Sequence, residues 1–163
     1  FNAGVDHAGS DIGQPTAYFV GCALNLTPQA PEREIKNLRR KLEAGADFVL
    51  TQPVYQPELA EDFLQRYAHQ YGPLQAPVLV GVLPLYSARH AAFLHNEVPG
   101  IVIPEQIRER IRQAGERAPW EGVRIALELT DQMRQFARGI YLMPAFQRYD
   151  LAADIVEGAK TNR

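Results

Sequence analysis

Four short apolar runs, each separated from the next by a helical pattern, constrain this chain more than any other feature. They are AYFVGCAL at 17–24, DFVLTQPVY at 47–55, PVLVGVLPL at 77–85 and GIYLMPAF at 139–146. None alternates cleanly between apolar and polar side chains, which is the pattern of strands covered on both faces in a parallel sheet. The intervals carry helix punctuation. PEREIKNLRRKLEAGA sets Ile35, Leu38 and Leu42 at i, i+3 and i+7, opens on Pro31 and stops at Gly45. PELAEDFLQRYAHQYG repeats the design with Leu59, Phe63 and Tyr67 as its stripe and Gly72 as its stop. The third interval is longer, and ARHAAFLHNE, PEQIRERIRQAGE and WEGVRIALELTDQMRQFA predict two helices beyond the one a crossover needs. A last helix is expected from about Tyr149 to Glu157, and the opening sixteen residues, rich in Gly, Ser, Asp and Pro, read as a loop.

Strand and helix repeated in this way imply parallel strands joined by right-handed crossovers. An open four-stranded sheet and part of a closed barrel both satisfy that rule. Gln52-Pro53, Pro84 and Pro144 gather polar and ladder-breaking residues at the C-terminal ends of three runs. That end is where a (β/α)8 barrel builds its site, and such a barrel takes about 250 residues. The 163 residues, starting at Phe1, suit a piece of a larger protein. The expected fold is α/β: the C-terminal half of a (β/α)8 TIM barrel, four parallel strands with covering helices and extra helices before the last strand, as one region over 1–163. Four strands alone would leave two sheet edges and one face unsealed, so the missing strands are expected to precede Phe1.

Composition narrows the function classes. A net charge of −2 with 46% apolar residues argues against nucleic acid as the main partner. Cys22 is the single cysteine, so the chain alone builds neither a disulfide framework nor a cysteine metal cage. No apolar run approaches the roughly 20 residues of a membrane helix, and the start lacks the pattern of a secretory signal, which points to the cytoplasm. His90 and His95, five apart, share no helical face, and no carboxylate or cysteine pattern completes a metal site. The sequence contains no G-x-S-x-G, G-x-x-x-x-G-K or G-x-G-x-x-G. No strand carries a lysine for Schiff-base chemistry, which disfavours a lyase or aldolase barrel.

Several residues remain as candidates. Gln52 closes a strand with an amide that offers both donors and an acceptor, suited to the mixed edge of a heterocycle such as a pterin, or to capping a nearby backbone group. Arg148 follows the last run as a fork for a carboxylate or phosphate, or as a partner of Asp150. Asn37, Arg40 and Lys41 lie at i, i+3 and i+4 with Glu34 in line beneath them, a face that could hold a nucleotide or simply be solvated. Asn25 ends the first strand just before Thr27, a helix cap or phosphate contact.

Three collinear segments, LRRKLEAGADFVLTQPVY, GVLPLYSARHAAFLHNEVPGI and GIYLMPAFQRYDL, resemble the C-terminal half of the methylenetetrahydrofolate reductase barrel. The wording QPVY and HNEVPGI is most similar to the reductase portion of bacterial bifunctional proteins that also carry a homocysteine S-methyltransferase. The resemblance spans Tyr18 to Val156. It implies a flavoprotein in which NAD(P)H reduces FAD and the flavin then reduces methylenetetrahydrofolate to 5-methyltetrahydrofolate. It further implies that Gln52 contacts the pterin and Arg148 the glutamyl tail. His90 stands where the family has a tail-contacting glutamine, Leu94 where it has an aromatic, and Phe146 beside the ligand stack. Asn37, Arg40 and Lys41 would meet FAD, as would Asn25 in an ALN that replaces a strand-end tyrosine and histidine. The general acid belongs to the family's N-terminal half, so no catalytic residue is assigned here, and these residues alone are expected to be inactive. The rival expectation is a non-catalytic half barrel that self-associates. A homo-oligomer is expected in either case.

Overall fold

A computed structural model of the protein describes residues 1–161. Its strands are β1 (Gly21–Leu24), β2 (Phe48–Pro53), β3 (Val78–Val82) and β4 (Gly139–Leu142), hydrogen-bonded in the order β1-β2-β3-β4 with every pair parallel. The helices are α1 (Pro31–Glu43), α2 (Pro57–Tyr71), α3 (Ala88–Glu97), α4 (Glu105–Ala114), α5 (Ala118–Met133) and α6 (Tyr149–Thr161). The third crossover therefore holds α3, α4 and α5, two helices more than a crossover needs, as its length predicts.

Strands in sequential order, joined by crossovers of one hand, put every connecting helix on the same side of the sheet. The burial pattern agrees. Val49, Val78, Val80 and Val82 are buried in one cluster with Ile35 and Leu38 of α1, Phe63 and Tyr67 of α2 and Ile125 of α5. Burying a side chain such as Phe63 contributes about 1.5–3 kcal/mol. Phe48, Leu50 and Leu79 alternate with these valines and so point to the opposite face, where they are only partly covered. Phe19 stacks on Phe48 at 5.2 Å between ring centroids yet stays 71% exposed. The unbroken apolar runs predict cover on both faces; the described residues cover one.

β1 is also shorter than its apolar run. Among the described residues, positions 17–20 find no strand to pair with, apart from Val20, whose carbonyl accepts the Asp47 N–H and whose N–H donates to the Asp47 carboxylate at 2.7 Å. On the far side of the helices Arg110 of α4 donates to Glu121 (2.8 Å) and Glu128 (2.7 Å) of α5, tying the inserted hairpin together. Pairs that solvent still reaches in this way contribute only about 0.2–1 kcal/mol each.

α5 lies tight against the chain that leaves β3 at Gly122. A Cβ on Gly122 would fall inside the van der Waals radius of the Leu85 carbonyl oxygen, so only glycine lets the helix lie there. Gly122→Ala is expected to force α5 outward at a cost of about 1–3 kcal/mol, lowering the thermal midpoint by several degrees in a calorimetric scan. An unchanged midpoint would mean that α5 is not seated against Leu85.

Candidate functional site

The candidate site lies at the C-terminal ends of the strands, and its geometry starts from an irregularity in β2. Leu50 pairs with Leu79, but the next pair is Pro53 with Gly81, so β2 carries one more residue than β3 across this step. This is a β-bulge, a device that bends a strand and re-aims a side chain. In an unbulged parallel ladder the Gly81 N–H would meet the Thr51 carbonyl. Here it donates to the Thr51 hydroxyl instead, at 3.0 Å, and that hydroxyl donates to the Gln52 carbonyl at 2.7 Å. The displaced Thr51 carbonyl accepts a hydrogen bond from the Tyr141 phenol, which reaches it from β4. Pro53 has no N–H to offer the ladder, which suits it to the end of the bulge.

Gln52 is what the bulge presents. Thr51 and Pro53 on either side are buried, while Gln52 is exposed, with its amide turned away from the helical layer. A second tyrosine secures the neighbouring strand end: Tyr55, just past β2, donates to the Leu83 carbonyl at 2.8 Å. Burial pushes its phenol well above the ordinary tyrosine range and keeps it a donor.

The other expected substrate-side residues gather around the same rim. Arg148 is engaged by Asp150, donating through Nε at 2.9 Å and Nη2 at 2.6 Å. This bidentate bond holds the Asp150 carboxyl below its usual range. His90 lies in the first turn of α3, where its backbone N–H donates to the capping Ser87 hydroxyl at 3.1 Å. Its ring stacks on Tyr86 at 4.2 Å and is 4% exposed. Burial drives its pKa from 6.5 down to about 4, so the imidazole is neutral at physiological pH. Leu94, where an aromatic is expected, is buried, and the neighbouring Phe93 is exposed. The Phe146 side chain lies outside the described residues.

Asn25, Asn37 and Lys41 converge on Glu34. The Glu34 carboxylate accepts from the Asn25 N–H and the Asn37 amide, both at 3.4 Å, and lies 3.7 Å from Lys41 Nζ. Lys41 also donates to the Ala23 carbonyl at 2.7 Å, and the Asn25 side chain accepts from the Thr27 N–H at 2.9 Å. Arg40 is exposed on the same helix, and its side chain has no ion pair or hydrogen bond among the described residues. The structure therefore joins Asn25, Asn37 and Lys41 into one cluster beside the end of β1 and leaves Arg40 reaching into solvent.

Sequence reasoning missed Thr51 and Tyr141 as site residues. Threonine in the TQP segment was a weak signal, and Tyr141 had none, because its role depends on a register shift that no local pattern announces.

A family model described as methylenetetrahydrofolate reductase matches residues 16–158. Among solved structures, an uncharacterized protein from Clostridium thermocellum, described as binding two copies of 5-methyl-5,6,7,8-tetrahydrofolic acid, superposes with a TM-score of 0.63 at 18% identity. The match covers 86% of this chain and 52% of that one, so the chain spans about half the length of the structure it resembles.

The buried His90 carries a pH dependence whose sign follows from its neutral folded form. Its folded pKa lies below the unfolded value, so the unfolded state binds the proton first as pH falls. The stability it contributes is complete above about 6.5 and is lost between there and about 4. An NMR titration should find the His90 ring signals flat through pH 6.5, and His90→Gln should flatten the fall in stability over the same window. Ring signals that titrate near 6.5 would contradict the buried placement.

Proposed function

The chain belongs to the methylenetetrahydrofolate reductase family, and from that premise we propose that it supplies the C-terminal half of a flavin-dependent folate reductase barrel. In this reading NAD(P)H is the reductant and methylenetetrahydrofolate is reduced to 5-methyltetrahydrofolate. FAD, when bound, supplies the hydride chemistry. The single observation that carries the reading is the placement of Gln52: exposed, at the end of an interior strand, on a bulge that three hydrogen bonds hold in place.

The residues of this chain then divide the work. The Gln52 amide reads the donor and acceptor edge of the pterin. Arg148 takes the glutamyl tail, exchanging Asp150 for a substrate carboxylate of the same geometry. His90, neutral and stacked on Tyr86, offers a hydrogen bond without a charge on the tail side of the site, and Phe146 borders the ligand stack.

The Asn25, Asn37 and Lys41 cluster suits a group that carries both hydroxyls and phosphates. Its amides and ammonium donate, the Glu34 carboxylate can accept from a sugar hydroxyl, and the unengaged Arg40 adds a fork for phosphate. These four residues would hold FAD. The general acid is assigned to the other half of the barrel, as are the strands that would cover the bare apolar face. A methyltransferase in the parent protein, a cytoplasmic location and a homo-oligomeric state complete the proposal. Among the described residues no helix is long and apolar enough to cross a membrane.

One observation also favours a second reading. β1 and β4 are both free edges flanking the bare face, so two copies could close on each other as a non-catalytic scaffold. A colourless dimer of the 163-residue chain in sedimentation would support it.

The full-length protein is expected to purify yellow, and NAD(P)H should bleach its flavin absorbance. Gln52→Ala should weaken 5-methyltetrahydrofolate binding by roughly tenfold or more, as for a lost hydrogen bond to a desolvated ligand edge, while leaving the flavin spectrum unchanged. A colourless protein that takes up no added FAD would sink the reductase reading.

A further inference from the structure

We propose that Tyr141 is a positioning residue that fixes Gln52: its hydroxyl reaches from β4, over Gly81 of β3, to the Thr51 carbonyl of β2 and holds the bulge in one arrangement. The folate consequence rests on the function proposed above; the clasp itself does not.

Tyr141 and Thr51 are not neighbours in the sheet. β3 lies between their strands, and Tyr141 pairs in register with Gly81. The phenol can cross that strand only because Gly81 has no side chain. A Cβ there would lie 2.6 Å from Met143 Cε, 2.9 Å from the Thr51 carbonyl oxygen and 3.1 Å from the Tyr141 hydroxyl. All three distances are tighter than ordinary packing, so any side chain at position 81 would occupy the path of the clasp.

The bulge creates the need for this bond. With the Gly81 N–H diverted to the Thr51 hydroxyl, the Thr51 carbonyl has lost its ladder donor. A buried carbonyl without a donor costs free energy, and a bulge that relaxed into the regular ladder would restore that bond while pairing Gln52, in place of Pro53, with Gly81 and so moving Gln52 along the strand. The Tyr141 hydroxyl supplies the missing donor only in the bulged register. It therefore selects the register that sets where Gln52 stands against β3.

The bond acts through Thr51 and Gln52, and this separates a positioning role from a merely structural one. In the full-length protein without ligand, Tyr141→Phe should speed amide hydrogen exchange in the segments spanning 50–55 and 78–83 by about threefold to tenfold, the effect of one hydrogen bond. Segments of α4 and α5 should exchange as before. With 5-methyltetrahydrofolate as the probe, Tyr141→Phe should weaken binding by a similar factor, and it should weaken binding no further when Gln52 is already Ala. Unchanged exchange at the two segments overturns the clasp. Equal losses in the Gln52 and Gln52→Ala backgrounds overturn the route through Gln52. If the wild-type protein binds no folate, the functional reading fails on its own, and the exchange result still decides whether Tyr141 holds the bulge.

Discussion

Thr51 has two oxygens, and the arrangement of the strand ends depends on what each of them bonds. The hydroxyl takes the Gly81 N–H that a regular ladder would send to the carbonyl; the carbonyl takes the Tyr141 phenol. Those bonds join β2, β3 and β4 at the edge where the ladder stops. Alternation along β2 leaves Gln52 exposed between two buried neighbours, and these bonds fix its place against β3. Replacing a backbone donor by a side-chain donor preserves the count of satisfied groups while changing the direction of the strand, which is how a bulge can be tolerated in the middle of a sheet.

Sequential strand order has a second consequence. With the helices on one face, the strands' other face is apolar and open, and Gln52 belongs to the open side. Phe48, Leu50 and Leu79 show why the runs read as doubly covered strands: their composition suits burial, although the described residues do not bury them fully. A large apolar surface beside polar, ligand-suited groups is the usual signature of a surface meant to be covered.

Much of the fold was legible because its signals are local. Proline at Pro31 and Pro57 and glycine at Gly45 and Gly72 bracket α1 and α2 within a residue or two of the helix ends, although Leu59 of the expected α2 stripe is exposed and Ala60 is buried in its place. The strand cores were equally plain, and only their ends were misjudged. β1 starts at Gly21 because Tyr18 and Phe19 have no partner strand among the described residues, a fact about neighbours that composition cannot carry. The site was legible in parts. Gln52 and Arg148 stood out by position, and the i, i+3, i+4 cluster of α1 was readable as a face. That Lys41 would bond a strand carbonyl, and that Tyr141 would cross β3, followed from three-dimensional approach alone.

The Lys41 bond also shows how the cofactor-side cluster and the sheet edge are linked. The Val20 carbonyl accepts from the N–H groups of Asp47 and Phe48, so alternation turns Cys22 and Leu24 toward β2 and aims the Ala23 carbonyl outward, at the free edge. Lys41 donates to that carbonyl and stands 3.7 Å from Glu34, so its charge is shared between an edge acceptor and a carboxylate. A lysine placed this way also discourages a foreign strand from adding to β1, because pairing would have to displace it. Any anion that draws Lys41 away would uncover the Ala23 acceptor, so occupation of this corner and protection of the edge compete for the same ammonium. The same holds across the sheet for Arg148, which must leave Asp150 before it can hold another carboxylate. At each corner one cation expected to meet a ligand, Lys41 or Arg148, is already bonded within the protein, and its contribution to affinity is set by the difference between two bonded states rather than by the strength of either.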